Sequence, residues 1–135
     1  MQYWLAKSEP STWSWDQHVK KGTQHWDGVR NYQASNNMKA MKKGDLAFFY
    51  HSNEGKEIVG IVEVAKEYYP DPTDEAGRFG MVDFKAVKPL KKFVTLATIK
   101  ETPALRNMAL LKQSRLSVSP VSEAEWKTIL KMGGL

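Results

Sequence analysis

The sequence of 135 residues contains no cysteine. Without thiols, the protein has no cysteine nucleophile, no cysteine-ligated zinc and no iron–sulfur cluster. The absence of cysteine also agrees with a reducing compartment. No apolar run approaches the length of a membrane span, and the amino terminus lacks the charged-then-apolar pattern of a signal peptide. We therefore expect a cytoplasmic protein with no membrane partner.

The motifs of common enzymes are also missing. The sequence has no Gly-x-Ser-x-Gly elbow and no Walker or dinucleotide-binding glycine loop, and its histidines lack the spacing of zinc ligands. We expect His18 to lie in an exposed helix, and His25 stands beside Trp26, so neither is placed as a base. The sequence thus predicts a non-catalytic protein without metal or cofactor. The alternative is an enzyme acting on a nucleotide or modified base, with His51 as general base.

The charge balance favours a polyanionic partner. Lysine and arginine total 20 against 15 aspartate and glutamate residues, which gives a formal net charge of +5. Five tryptophans in so short a chain are also unusual. Indoles stack well on bases and cations, although clustered tryptophans serve equally well as core. The length suits a single domain with one core, which we place over residues 1–135.

Hydrophobic periodicity and turn residues predict a mixed order of elements. The predicted strands cover residues 2–7, 23–26, 45–52, 57–69, 81–94 and 115–119. One predicted helix covers residues 31–43 approximately, and three others begin after Ser14, at Thr95 and after Ser122. A further helical turn or two is predicted at 105–111. Residues 70–80 are predicted to form a surface loop. The order favours an α+β fold, built on a curled mixed or antiparallel sheet or small open barrel with short helices.

Two local patterns are specific enough to test. Ser14 with Gln17, and Ser122 with Glu125, have the spacing of capping boxes, in which each side chain bonds the other residue's backbone N–H. Gly60 lies in the middle of a predicted strand, where glycine is typical of a bulge or of a close approach between backbones. A strongly curved sheet would need such a position.

Residues 26–31, WDGVRN, combine groups suited to base recognition. An indole can stack, a guanidinium can bind oxygens and a carboxamide can read a base edge. Segments 7–10 (KSEP), 50–52 (YHS) and 114–118 (SRLSV) add hydroxyls, another aromatic ring and further cations. Each residue alone is explained as well by an ordinary role, with Trp26 as core or Asn31 as a helix cap. If the four segments converge, one pocket would hold an aromatic face, a guanidinium, hydroxyls and an amide, which are the groups needed to bind a planar base.

Six segments resemble the EVE family in sequence and order. They are 3–10 (YWLAKSEP), 26–34 (WDGVRNYQA), 43–45 (KGD), 49–52 (FYHS), 58–60 (IVG) and 114–118 (SRLSV). EVE domains are PUA-like and related to YTH domains, so the resemblance implies a PUA-like pseudo-barrel with flanking short helices over the whole chain. It also implies a non-catalytic module that captures a modified nucleobase, chiefly a modified cytosine in DNA, or a modified base in RNA.

Carried onto this chain, the resemblance implies a base-binding pocket. Its residues would be Lys7, Ser8, Trp26, Gly28, Val29, Arg30, Asn31, Tyr50, His51, Ser52, Arg115, Leu116 and Ser117. Within this set we assign Trp26 to stacking. Ser8, Asn31 and Ser52 are assigned to the base edge, and Arg30 and Arg115 to a phosphate or a base oxygen.

The energetics of base capture add a requirement. Flipping a base out of a duplex costs about a few kcal/mol, and stacking on one ring returns roughly 1–3 kcal/mol. Phosphate contacts must therefore contribute, which makes binding depend on salt. A further possibility is an interaction adaptor whose pocket holds a small metabolite. We expect a monomer, and an indole packed in a solid interior would contradict the base-reader hypothesis.

Overall fold

The computed structural model describes residues 1–135 and alternates strands with short helices. The strands are β1 (Tyr3–Ser8), β2 (Thr23–His25), β3 (Leu46–His51), β4 (Glu57–Pro70), β5 (Gly80–Thr95) and β6 (Val118–Val121). The helices are α1 (Trp15–Lys21), α2 (Tyr32–Ala40), α3 (Leu96–Glu101), α4 (Ala109–Lys112) and α5 (Glu123–Met132), with a 3₁₀ turn at Pro103–Leu105. This arrangement confirms the predicted α+β class.

All six strands form one mixed sheet in the order β2-β5-β4-β3-β1-β6. Strands β1 and β3 run parallel, and the other neighbouring pairs are antiparallel. The long connection through α1, β2 and α2 makes the parallel pair possible, because a parallel neighbour requires a crossover. The two outermost strands do not pair with each other, so the sheet is curled but not closed into a barrel.

Gly60 confirms the expected bulge, and the close approach at this position is made by a side chain rather than by another backbone. The pairing register of β4 shifts between Ile58 and Gly60 on the β5 side, and the β3 register shifts at the same place. A Cβ atom on Gly60 would lie 2.5 Å from the indole of Trp15. Glycine is required here because the ring of α1 rests directly on the strand, and the bulge bends the sheet around it.

Apolar side chains cover both faces of the central strands. Alternate residues of β1 and β3 point to opposite faces, as the pleat requires. One face carries a core cluster with α1 and α2, which includes Trp4, Ala6, Trp15, Trp26, Ala34, Met38, Met41, Ala47 and Phe49. The other carries a cluster with α3, α4 and α5, which includes Leu5, Phe48, Tyr50, Ile99, Leu110, Trp126 and Ile129. The functional site described below lies on the α1 and α2 side.

Local hydrogen bonds explain where the helices begin and end. Both predicted capping boxes are present, at Ser14 and at Ser122. Helix α2 ends at Ala40, earlier than predicted, because Met41 is extended and the buried Asp45 carboxylate accepts the Lys42 N–H at 3.0 Å. The last strand was also misplaced. Arg115 lies in a turn that the Leu116 N–H closes by donating to the Gln113 carbonyl, and the strand begins only at Val118 and continues to Val121.

Candidate functional site

A cavity of about 570 Å³ opens beyond the carboxyl end of β1. It has the size of an ordinary ligand pocket, but its lining is mostly polar. Three segments form it, contributing Lys7, Ser8, Glu9, Thr12 and Trp13, then Gln24, His25, Trp26, Asp27, Gly28, Val29 and Arg30, and finally Ser117. The structure therefore brings together three of the four segments that the sequence pointed to.

Lys7 and Ser8 join two walls of this cavity. The Lys7 backbone N–H donates to the Ser117 carbonyl at 2.9 Å, and its ammonium donates to the Ser114 carbonyl at 2.7 Å. Burial lowers the pKa of the Lys7 ammonium. The Ser8 hydroxyl donates to the Trp13 carbonyl at 2.5 Å, which fixes the turn after β1. The two side chains are thus held in position at the strand end rather than freely solvated.

Trp13 forms a wall that the sequence did not single out, and His18 holds it. The Trp13 indole N–H donates to His18 Nδ1 at 3.0 Å. Because an indole can only donate, the proton of His18 must sit on Nε2, which donates to the Phe84 carbonyl at 2.9 Å. Burial lowers the pKa of His18, against the effect of that carbonyl, so the ring is neutral. The prediction that His18 is exposed was wrong, since the residue is fully buried.

Trp26 contributes less surface to the cavity than its assigned stacking role implied. It is only 8% exposed. Its ring packs edge-to-face on Phe49 at 5.6 Å and on Phe84 at 5.3 Å between centroids. Most of the indole is therefore core, and a small part lines the cavity. Trp13 is only partly buried and offers the more accessible ring.

A buried carboxylate, Asp71, fixes the loop that carries Gly28 and Arg30. Its Oδ2 accepts the Gly28 N–H at 2.9 Å and Arg30 Nη1 at 3.1 Å, and its Oδ1 accepts the Thr73 N–H at 2.8 Å. Arg30 Nη2 also donates to the Thr73 hydroxyl at 2.9 Å. Burial opposes ionisation of Asp71, but these hydrogen bonds outweigh it and hold its pKa well below the usual range.

The remaining segment, residues 50–52, does not line the cavity, although all three of its residues were predicted to belong to the pocket. Tyr50 is buried in the core cluster on the opposite face, where burial raises the pKa of its phenol. The Ser52 backbone donates to the Ser8 carbonyl at 2.9 Å. His51 Nε2 accepts the Trp15 N–H at 3.1 Å, and burial lowers the pKa of this ring. A neutral His51 then carries its proton on Nδ1, which leaves no free nitrogen to act as general base.

A shallower second groove of about 380 Å³ adjoins the cavity. Its lining residues are Asn31, Gln33, Lys112, Gln113, Ser114, Arg115 and Leu116. Asn31, Arg115 and Leu116 were predicted in the base pocket, and the structure places them in this groove instead. No acidic residue lines it, and the Asn31 carbonyl oxygen already accepts the Ala34 N–H at 2.9 Å. Hydrogen-bond donors and two cations therefore dominate the groove.

The cavity and the second groove share a border. Arg30 and Asn31 are consecutive residues that line one each, and the same holds for Ser117 and Leu116. The Lys7 ammonium reaches from the cavity to Ser114 in the groove. An extended ligand can therefore occupy both sites at once.

Comparison with known proteins fits this arrangement. The model of the EVE domain family matches residues 2–132. The chain belongs to the EVE family. Human thymocyte nuclear protein 1 is 36% identical to this EVE chain, over 96% of the chain and 73% of the human protein.

Solved EVE structures agree with the fold. A protein from Rhodopseudomonas palustris superposes with a TM-score of 0.94 at 62% identity and covers 99% of this chain and 94% of that one. Human THYN1, in complex with 5-methylcytosine-containing DNA, superposes with a TM-score of 0.89 at 34% identity. That match covers 100% of this chain and 99% of the human one.

Several cavity residues of this EVE domain were missed from sequence. They are Glu9, Thr12, Trp13, Gln24, His25 and Asp27. The Thr12 and Trp13 N–H groups both donate to the Glu9 carbonyl, so a tight turn brings Trp13 back over the strand end. The Ser8-Glu9-Pro10 turn was the available signal, because a chain reversal there must return the next aromatic residue toward β1.

No helix is long and apolar enough to cross a bilayer. No three histidine, aspartate or glutamate side chains lie close enough together to hold a metal ion.

Proposed function

We propose that this EVE domain binds DNA and captures one modified cytosine in the cavity beside Trp13. The proposal is supported by the human THYN1 structure, which is a complex with 5-methylcytosine-containing DNA. It rests on one feature of this chain, a polar cavity walled by an indole that a buried, neutral His18 holds in place. A base inside a duplex must flip out to reach such a cavity.

The lining matches the chemistry of a cytosine. Cytosine offers an amino donor at N4 and acceptors at its other edge positions, and carboxylates are common acceptors for N4. Glu9 and Asp27 provide carboxylates, and Lys7 provides a donor. Trp13 supplies a stacking face, and the apolar atoms of Val29 can contact a methyl substituent. One methyl-sized group in a hydrophobic pocket discriminates roughly 10- to 200-fold, and because this cavity is mostly polar we expect selectivity near the lower end.

The second groove supplies the part of the binding free energy that stacking alone does not provide. Stacking on one ring returns roughly 1–3 kcal/mol, which barely covers the cost of flipping. Lys112 and Arg115 are exposed in the groove and belong to none of the ion pairs within the protein. We propose that they contact the phosphates beside the captured base. The affinity then depends largely on phosphate contacts, and hence on the salt concentration, whereas the selectivity for the modified base depends on the cavity.

Trp13→Ala tests the cavity directly. Binding is measured to matched duplex and single-stranded oligonucleotides that contain 5-methylcytosine or plain cytosine. We expect the variant to bind the modified oligonucleotide roughly 5- to 150-fold more weakly. The ratio of its affinities for the modified and the plain oligonucleotide should approach one. Trp13→Phe keeps a ring but loses the indole N–H, so its affinity should lie between those of the wild type and Trp13→Ala. Thermal melting of each variant controls for folding.

Several outcomes would contradict the proposal. Equal, salt-sensitive binding of all oligonucleotides, unchanged in Trp13→Ala, would reduce it to electrostatic adhesion. Tighter binding of modified RNA than of modified DNA would make RNA the partner. Mass spectrometry of incubated oligonucleotides addresses catalysis, and turnover abolished by His51→Ala would establish the enzyme alternative.

The salt dependence of binding tests the groove. Each phosphate contact contributes about 0.9 to the slope of log K against log salt for duplex DNA. The double variant Lys112→Ala/Arg115→Ala should therefore reduce this slope by about 1.8, with the preference for the modified base unchanged. Lys127→Ala/Lys131→Ala is the matched control, because it also removes two exposed cations, both from α5, which packs against the other face of the sheet. An equal slope change in both variants would mean that only net charge matters.

A further inference from the structure

Two aromatic rings, the exposed Tyr32 and the partly buried Phe79, lie beside the cavity. Tyr32 is 61% exposed, although its side chain is large and aromatic. Its ring lies 4.9 Å from that of Phe79, centroid to centroid. The Arg30 guanidinium lies 5.7 Å from the Phe79 centroid. We refer to Tyr32 and Phe79 as the aromatic platform.

Hydrogen bonds hold the platform in place without a ligand. Asp74 Oδ2 accepts the Phe79 N–H at 2.7 Å and the Arg78 N–H at 2.8 Å. Tyr32 is the first residue of α2, directly after its Asn31 cap. Arg30 is tied to Asp71, as described above. A surface that is ordered in advance loses less entropy when a ligand binds.

The platform lies where a nucleic-acid strand has to pass. Arg30 lines the cavity and also covers the Phe79 ring. Asn31 and Gln33, which flank Tyr32 in sequence, line the second groove. A strand with one base in the cavity and its phosphates in the groove therefore brings its next base near Tyr32.

We propose that the aromatic platform stacks the nucleobase that neighbours the captured base on the same strand. This inference rests on the proposed function. A neighbouring base loses one stacking partner when the captured base leaves the helix, and an aromatic ring replaces it. Every base has a π-face, so the platform acts without regard to sequence or to the modification.

Tyr32→Ala tests the energetic side of this inference. We expect it to weaken binding of modified and plain oligonucleotides by the same factor, roughly 5- to 150-fold. The preference for the modified base and the salt slope should not change. Tyr32→Trp should retain wild-type affinity. Phe93→Ala is the matched control, because Phe93 is also exposed, at 48%, but lies on β5 near neither cavity nor groove.

Fluorescence of 2-aminopurine tests the contact itself. The probe is placed next to 5-methylcytosine on either side or, in a third duplex, opposite it, and each oligonucleotide is saturated with protein. Because stacking quenches the probe, the wild-type complex should be dimmer than the Tyr32→Ala complex at one of the two positions. Equal fluorescence in both complexes would overturn the inference, as would a difference only when the probe lies opposite the modified base.

The two proposals fail in distinguishable ways. If Tyr32→Ala changes nothing while Trp13→Ala abolishes the preference for the modified base, the platform is not used and the cavity proposal stands. If wild-type protein shows no preference at all, the cavity proposal fails whatever Tyr32 does.

Discussion

His18→Leu is expected to lower the free energy of unfolding by about 3–4 kcal/mol. The substitution leaves the Trp13 indole N–H and the Phe84 carbonyl without a partner, and each such group costs about 1–3 kcal/mol when buried. The wall of the cavity should loosen as well, so the preference for a modified base should be lost. Urea denaturation gives the first quantity, and oligonucleotide binding gives the second.

Two variants sharpen this prediction. His18→Gln can accept and donate as the imidazole does, so it should recover part of the lost stability. Val19→Ala changes the exposed neighbour on the same helix and should shift stability by less than about 0.5 kcal/mol. Equal losses in His18→Leu and His18→Gln would mean that ring packing, and not the hydrogen-bond pair, makes His18 necessary.

The same residue makes stability depend on pH. Burial lowers the pKa of His18 below the ordinary histidine value of about 6.5, so at mildly acidic pH the unfolded chain binds a proton that the folded one does not. Stability therefore falls as the pH drops below about 6.5, by up to roughly 1.4 kcal/mol per pH unit. His51 contributes in the same direction, because burial lowers its pKa too. His18→Gln should remove one of these two contributions.

Local patterns in the sequence predicted local structure well. The capping boxes at Ser14 and Ser122 and the bulge at Gly60 depend on neighbours a few residues away, and all three are present. The pocket residues were harder, because side chains alternate between faces along a strand. Phe49 packs on the site face of β3 and Tyr50 on the opposite one. Sequence alone does not determine which of the two alternating sets of side chains on a strand points toward the cavity.

The residues that the sequence did not reveal depend on distant partners. Asp71 was read as part of a polar surface loop, yet its side chain is fully buried against Gly28 and Arg30, some 40 positions away. His18 was placed on an exposed helix, but its burial depends on Phe84 in β5. A charged or titratable side chain is buried in the core only when a partner forms a hydrogen bond or an ion pair with it. Where that partner is distant in sequence, the local composition gives no sign of it.

His18 and Asp71 thus have matching roles at two sides of one cavity. The neutral imidazole orients Trp13 through one hydrogen bond, and the ionised carboxylate orients the Gly28–Arg30 loop through several. Both groups are buried, which strengthens their hydrogen bonds and fixes the geometry before any base enters. The cavity shape is therefore determined by side chains that do not line it.

Asp71→Ala is expected to have the largest effect, lowering the free energy of unfolding by about 4 kcal/mol. The change removes hydrogen bonds from Gly28, Thr73 and Arg30 to a charged acceptor, and each such bond contributes about 1.5–3 kcal/mol. All three donor residues are exposed and can regain water, so the loss should lie near the lower end of the sum. Urea denaturation at pH 7 measures it, and oligonucleotide binding should weaken in parallel.

Asp71→Asn separates charge from shape. Its carbonyl can still accept from Thr73, but its amide would face the donors of Gly28 and Arg30, so the loss should approach that of alanine. Since the folded pKa of Asp71 lies below its usual range, its stabilisation is complete above about pH 4 and declines as the pH falls further. The stability gap between wild type and Asp71→Asn should narrow there. Asp27→Asn changes an exposed carboxylate next to Gly28 and should alter stability by less than about 0.5 kcal/mol at pH 7. A loss comparable to that of Asp71→Asn would show that the charge of the loop, and not the buried acceptor, holds the cavity open.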